Sequence, residues 1–320
     1  MPIPSGPNAH VDVPLSNLAI AAFSDGDDEF IADQLFPVVQ VAKQSDKFFI
    51  IEKSAFLRSD ETLRAPKAKA RRIEFTVNSD SYFADNHALA EENALEDLAN
   101  ADFAIQLREN SARLVATRLR RAQEIRIANL VTSASNLGSG VALAGGNKWN
   151  DFVNSNPLAD VRTAHAFLRH TTGLRGNVAM MDWDTWQIVR HHPDLLDLYK
   201  HTSGGQLNLD QLAATFTVDK ILLGQGIIEN MPEGSTLSSI TNIWSNVFML
   251  AHIEPAAGLK TRTLGLRFNW QPAGFPGAMQ IERTVQAGAG SRKVEIVEAG
   301  HFQAEKVVAA DLGYVITGTL

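Results

Sequence analysis

Hydrophobic and polar positions change period several times along the chain. Lys47 to Lys53 reads KFFIIEK, a short aromatic and β-branched run, and Arg72 to Tyr82 (RIEFTVNSDSY) alternates strictly, with Ile73, Phe75 and Val77 on one face. Both predict strands. Ser54 to Arg71 between them is polar and basic and holds Pro66, so the pair reads as a hairpin with a long tip rather than a tight turn. From Leu98 to Ser133 there is neither proline nor glycine, and Ala, Leu, Arg and Glu dominate, which predicts one long helix. Ile105, Ala112, Val115, Leu119 and Ala122 form a single apolar stripe on it, and arginines 108, 113, 118, 120, 121 and 126 occupy much of the remainder. A stripe on one side suits a helix lying across a sheet better than one inside a bundle.

Asn136 to Asn156 is rich in glycine and asparagine and marks a boundary or an exposed loop. Beyond it the pattern predicts a helix over Pro157 to Thr171 and a buried strand over Val178 to Met181. Asp182 or Asp184 then caps a helix through Trp186, Ile188 and Val189, and Leu207 to Phe216 is a further helix. Strands follow at Lys220 to Leu223, Ile243 to His252, Leu264 to Trp270, Ala278 to Val285, Arg292 to Val297 and Gly313 to Ile316. Helices and strands without βαβ alternation point to an α+β fold. At the start of the chain Pro2, Pro4, Pro7 and Pro14 rule out a regular helix and predict an extended arm, most simply held by a neighbouring subunit.

Composition narrows the function. The 320 residues are 45% hydrophobic and 20% charged, as in soluble globular domains, and the length suggests two of them. No apolar run approaches the roughly 18 residues of a membrane span, and MPIPSGPNAH has neither the basic nor the apolar region of a secretory signal, so a protein used without export is expected. The absence of cysteine excludes disulfides, thiolate metal sites and cysteine nucleophiles. A net charge of −7 excludes a generally basic nucleic-acid binder. The charge is nevertheless segregated. Lys43 to Arg72 holds nine basic residues against four acids, a net of +5, and Ile73 to Asp102 holds eight acids and no Lys or Arg. These are either two solvated faces or a basic projection that meets the acidic segment of another copy. The candidates for such contacts are Arg58, Arg64, Lys67, Lys69, Arg71 and Arg72 on the basic side, and Glu91, Glu92, Glu96 and Asp97 on the acidic side.

Enzymatic signatures are missing. Gly138, Gly140, Gly145 and Gly146 do not match a dinucleotide fingerprint, whose third glycine falls at Leu143, and no Gly-Lys-Ser/Thr follows. His191 and His192 diverge by about 100° on a helix, and His165 and His170 stand five apart rather than four, so neither pair has metal-ligand spacing. There is no Gly-x-Ser-x-Gly elbow, and the adjacent Glu91 and Glu92 point apart. Trp183 and Trp186 suit a core or interface anchor. No cofactor and no metal are expected.

Several segments, in order, resemble the major capsid proteins of tailed bacteriophages with the Hong Kong 97-type fold. They are IADQLFPVVQV (Ile31 to Val41), KFFIIEKSAFLRSDETLRAP, YFADNHALAEEN leading into the long helix, NVAMMDWDTWQIVRHHPDLLDLYK, LDQLAATFTVDKILLGQG, NIWSNVFMLAHIEP, TLGLRFNW and the closing ADLGYVITG. The resemblance implies an N-terminal arm (1–42), an extended β-hairpin loop (43–85), a peripheral domain (86–156 and 278–308) carrying a spine helix over 98–133, and an axial domain (157–277 and 309–320). It implies hexamers and pentamers in an icosahedral shell enclosing double-stranded DNA without sequence-specific binding, in a virion capsid assembled in the host cytoplasm. Portal, possible decoration and, because the arm begins at Met1, separate scaffolding proteins would be partners; no membrane would be. Arg118, Arg120 and Arg121 on the spine are the first candidates to face DNA. Lys67 and Lys69 lie in the element from which some relatives cross-link, without a recognisable acid–lysine–asparagine set. The alternatives are the shell of a cellular nanocompartment enclosing protein cargo (encapsulin-like), distinguished by particle contents, and a soluble enzyme, distinguished by running as a small oligomer.

Overall fold

A computed structural model describes residues 10–11, 29–51, 57–60, 62–67, 69–74, 77–100, 104–199, 207–231, 239–256, 258, 261–272, 279–287 and 293–320. In chain order they form β1 (His10–Val11), α1 (Ala32–Leu35), β2 (Val38–Val41), β3 (Ser45–Ile51), β4 (Val77–Phe83), β5 (Asp85–Ala94), α2 (Leu95–Asn100) and the spine α3 (Ala104–Thr132). Next come α4 (Ala134–Leu137), β6 (Gly140–Ala142), α5 (Pro157–Thr172), β7 (Val178–Asp182), α6 (Trp183–Val189), α7 (Pro193–Tyr199) and α8 (Leu209–Phe216). The chain ends with β8 (Lys220–Gly224), β9 (Ile227–Glu229), β10 (Ile240–Asn242), β11 (Val247–Ala251), β12 (Gly265–Trp270), β13 (Gln280–Ala287), β14 (Lys293–Val307) and β15 (Gly313–Thr317).

Two sheets organise the molecule. In the six-stranded sheet, β14 pairs on one side with β13 and then β12, and on the other with β5; β1 extends β13 and β2 extends β12. Glu295, Val297, Ala299, His301 and Gln303 alternate inward along β14 beneath the spine. Ala112, Val115, Ala116 and Leu119 of the spine pack there on Met279, Ile281, Val297 and Ala299, so the stripe read from the sequence does lie across a sheet. The opposite face is covered by the foot of the β3–β4 hairpin, where Phe48 and Tyr82 meet Leu266 and Phe268, with the Tyr82 and Phe268 rings stacked at 4.5 Å.

The five-stranded sheet has the order β6-β15-β11-β7-β8. All five positions of both β7 and β11 are buried because both faces are covered, which explains their apolar runs VAMM and VFMLA. Ala179, Met181, Phe248, Leu250 and Ile316 face α5, α6 and α8; Val178, Met180, Val247, Met249 and Val315 face α1 and the end of the spine at Ile127 and Val131. One helix thus underlies both units. Asp182 is the cap of α6, as expected, and Asn156, followed by Pro157, caps α5.

The structure departs from the sequence reading in several places. The second hairpin strand begins at Val77, and Ile73 is exposed coil. Helical structure starts at Leu95, and the strand expected to end at Val297 runs on to Val307. β5 was not anticipated, because Leu89 is the one large apolar residue among its spine-facing positions, and the others, His87, Glu91 and Asn93, are polar and give no apolar alternation. Pairing places β12 in the six-stranded sheet and β6 in the five-stranded one, whereas the bounds implied by the resemblance grouped β12 with 157–277 and β6 with 86–156. β1 pairs with β13 of its own chain. Pro2, Pro4, Pro7, Pro14, Lys53 and Phe75 lie outside the described residues.

Candidate assembly surfaces

Four of the spine's six arginines are paired with acids of the same chain, and Arg113 and Arg118 stand on exposed positions. Arg108 grips Glu295 with two hydrogen bonds of 2.8 and 2.9 Å, and Arg126 reaches Glu305 at 2.7 Å. Arg120, 2% exposed, pairs with Asp33 at 3.6 Å, and Arg121 donates to Glu29 at 3.0 Å. Both guanidinium groups lie over the Phe30 ring, 5.4 and 5.7 Å from its centroid. Asp33 also accepts from Gln123 and pairs with Arg267 of β12. Of the three DNA-facing candidates, Arg120 is buried, Arg121 is partly exposed and paired with Glu29, and Arg118 lies on an exposed position. The sequence period puts these residues off the apolar stripe but does not reveal that 29–36 lies over them.

Glu124 is the hub of this region and was missed. It is fully buried; Oε1 accepts from Ile31 N at 3.1 Å and from Trp244 Nε1 at 2.5 Å, and Oε2 accepts from Ala32 N at 2.8 Å. Burial pushes its carboxyl above the usual range, against those three hydrogen bonds. A signal was present: Arg120 and Glu124 are in helical phase with Ala116, Ile127 and Val131, all buried. Beside this hub, His87 and His301 face each other across β5 and β14 with ring centroids 5.6 Å apart. Burial, then His87, Arg126 and Arg267, hold His301 down to about 3.

The basic and acidic candidates lie on different elements. Arg58, Arg64, Lys67, Lys69, Arg71 and Arg72 are all exposed between β3 and β4, and Arg71 stands 3.8 Å from Asp60 of the same loop. Glu92 projects from β5 away from the spine, while Glu91 faces the spine side and buries one carboxylate oxygen. Glu96 and Asp97 are exposed in the first turn of α2, where the helix dipole favours acids. Within one chain the described residues do not bring the two sets together.

Nothing among the described residues gathers three or more metal-ligating side chains, and no described helix is long and apolar enough to cross a membrane. His192 is a buried core residue in contact with Ser155 Oγ at 3.1 Å, and His191 is exposed. A cavity of about 350 Å³ opens beside β6, lined by Val141, Leu143, Asn147, Asp160 and Tyr314 among others.

No protein-family model matches the chain. Among curated proteins, it is 25% identical over 317 residues to the major capsid protein of Burkholderia phage BcepMu, covering 96% of both chains. It is 24% identical over 309 residues to the major capsid protein of Pseudomonas phage JBD67, covering 95% of both. Among solved structures, a phage-related protein from Bordetella bronchiseptica RB50 superposes with a TM-score of 0.73 at 22% identity over 97% of each chain. The virus-like particle from Pyrococcus furiosus gives 0.54 at 10% identity, covering 95% of this chain and 97% of that one. The capsid of Myoviridae phage XM1 gives 0.50 at 12% identity, covering 88% and 89%.

Proposed function

We propose that this chain, a phage major capsid protein with the Hong Kong 97-type fold, closes as hexamers and pentamers into an icosahedral shell that holds double-stranded DNA by enclosure. The observation that carries this reading is similarity along nearly the full length of two phage major capsid proteins, joined to a two-sheet architecture threaded by one spine helix. The chain is a structural protein and not an enzyme. In this reading the six-stranded unit is the peripheral domain and the five-stranded unit is the axial domain. The basic loop is the projection that reaches a neighbour, meeting Glu92, Glu96 and Asp97 there. Assembly takes place in the host cytoplasm with separate scaffolding and portal proteins. The phage reading draws on sequence as well as fold, which leaves the nanocompartment reading the weaker of the two.

Expression of the chain with and without its neighbouring genes, followed by electron microscopy and nuclease-protection assays, tests the proposal. Icosahedral particles that protect duplex DNA are expected in an infected or induced host. A chain that remains a small oligomer under every condition overturns the shell, and particles filled only with protein turn the reading to the nanocompartment.

A further inference from the structure

The shell reading makes no use of the 350 Å³ cavity beside β6, whose size falls in the range of small-ligand sites, about 300 to 1,000 Å³. Its walls come from β6, from the loop that follows and from the first two turns of α5. The loop is firmly built. Lys148 Nζ donates to the Leu320 carbonyl, Asp151 accepts from Val153 N and Asn154 N, and Asn156 Oδ1 accepts from Ala159 N at 2.9 Å. Val141, Leu143 and Ala159 give the cavity an aliphatic side. Ser155 on its wall lies 3.1 Å from His192 Nε2, which invites the reading of a nucleophile and its base, but the hydrogen bonds run the wrong way. Burial lowers the His192 pKa and so favours the neutral ring, and Nδ1 accepts from Asp194 N, which leaves the ring proton on Nε2. Ser155 Oγ in turn donates to the Asp151 carbonyl at 2.7 Å, so its proton is not offered to a base. The cavity is built to bind rather than to react.

Charge selects what it binds. Asp160 lines the cavity half-buried, with Oδ2 accepting from Trp149 Nε1 at 2.8 Å. Burial raises its carboxyl, the Trp149 bond opposes that, and among the described residues no cation pairs with it. The Tyr314 phenol is raised by burial and then by the Asp160 charge, so the two groups stand within electrostatic reach of each other. An anion would meet that carboxylate, and the first amides of α5 are not offered to it: Ala159 N and Asp160 N both donate to the Asn156 carbonyl. A half-buried carboxylate without a cation of its own, beside an aliphatic wall, suits a positively charged donor carried on a short hydrocarbon chain.

We propose that the cavity takes a primary alkylammonium group, with its N–H donors on Asp160 and Tyr314 and its methylenes against Val141, Leu143 and Ala159. A free diamine or polyamine and a lysine side chain of another copy share that chemistry. The proposal does not depend on the shell reading, because the unassembled chain already holds the cavity. Saturation-transfer NMR of that chain tests it, with n-butylammonium as the probe and n-butanol as its neutral match. The ammonium should bind saturably and about tenfold more tightly than the alcohol. Asp160→Asn keeps an acceptor for Trp149 and should bring the ammonium down to the level of the alcohol. Equal binding of the two probes by the unaltered chain, or no binding of either, overturns the proposal without any variant; so does undiminished ammonium binding by a folded Asp160→Asn chain. The same titration on assembled particles separates the two sources: loss of probe binding on assembly assigns the cavity to a lysine of an adjacent copy, and retention assigns it to a free amine.

Discussion

Removing the Glu124 side chain should loosen the joint between the two units more than any other single polar substitution on the spine. Glu124→Ala leaves three buried donors, Ile31 N, Ala32 N and Trp244 Nε1, without their acceptor. A buried donor left unsatisfied costs roughly 1 to 3 kcal/mol. Against this, the substitution relieves the burial that pushes the carboxyl upward. The balance is about 3 to 5 kcal/mol, the range for breaking a buried charged cluster, or on the order of 10 °C in midpoint for a chain of this size. Glu124→Gln keeps one acceptor oxygen and removes the charge, so it should recover a large part of the loss. Trp244 belongs to the five-stranded unit's core and Glu124 to the spine, so calorimetry of the alanine variant should also resolve two transitions where the unaltered subunit shows one.

Urea unfolding followed by far-ultraviolet circular dichroism measures the first effect, and a double-mutant cycle with Trp244→Phe isolates the bond itself. The coupling should be about 1 to 3 kcal/mol, because the two groups share one hydrogen bond. Strict additivity, or an alanine variant within about 1 kcal/mol of the unaltered subunit, would refute the reasoning: the hydrogen bonds would then merely offset the burial of the carboxylate, and the joint would be held by apolar packing among residues such as Leu35, Phe36, Ile127 and Val131.

Other outcomes follow from the same physics. His301 is held down to about 3 from 6.5, so the fold favours the neutral ring; its contribution is intact above about pH 6.5 and is lost progressively as pH falls toward 3. The slope is about 1.4 kcal/mol per pH unit at most, and His301→Gln should flatten the urea midpoint between pH 6 and pH 4. Gly265→Ala should destabilise by about 1 to 3 kcal/mol or more through overpacking, since a Cβ there would lie 2.2 Å from the Phe36 ring; a thermal midpoint within a degree of the unaltered chain would show that the ring moves aside. Reversal of Arg71 and Arg72 to Glu should lower particle yield without altering subunit melting, and Glu92→Lys with Asp97→Lys should partly restore it. Each exposed pair gives only about 0 to 1 kcal/mol, but it recurs at every equivalent interface, and unchanged yield at both low and moderate salt would reduce the segregation to two solvated faces.

Elements with a strong period were legible before any coordinates. The stripe at Ala112, Val115 and Leu119 and the buried runs of β7 and β11 show how period and continuity report one-sided and two-sided burial. β5 was illegible because an edge strand whose inward positions are His87, Leu89, Glu91 and Asn93 offers a single large apolar residue and no alternation. The sheet assignment of β12 was illegible for a different reason: Phe268 pairs with Ala304 and Val39, and pairing across such separations leaves no local trace. Of the contact candidates, exposure of the loop cations was foreseeable from their density, but the inward turn of Glu91 beside the outward Glu92 needed the pairing register.

The fate of the spine arginines bears on how such a shell treats its contents. A helix bearing Arg108, Arg118, Arg120, Arg121 and Arg126 invites the reading of a phosphate-facing surface in a protein of net charge −7. In the structure Glu295, Asp33, Glu29 and Glu305 each take a guanidinium, so four of the helix's six arginines are paired within the chain, while Arg113 and Arg118 stand on exposed positions. Affinity for duplex DNA scales with the number of phosphates that cations neutralise, and cations already paired release no counterions on binding. The same pairs tie 29–36 to the spine and the spine to β14, so exchanging them for phosphate would open the joint at Glu124. Four of the spine's arginines thus hold the chain's own layers together, and a phosphate-facing role for this helix would fall to Arg113 and Arg118, whose replacement by Ala should leave subunit melting unchanged.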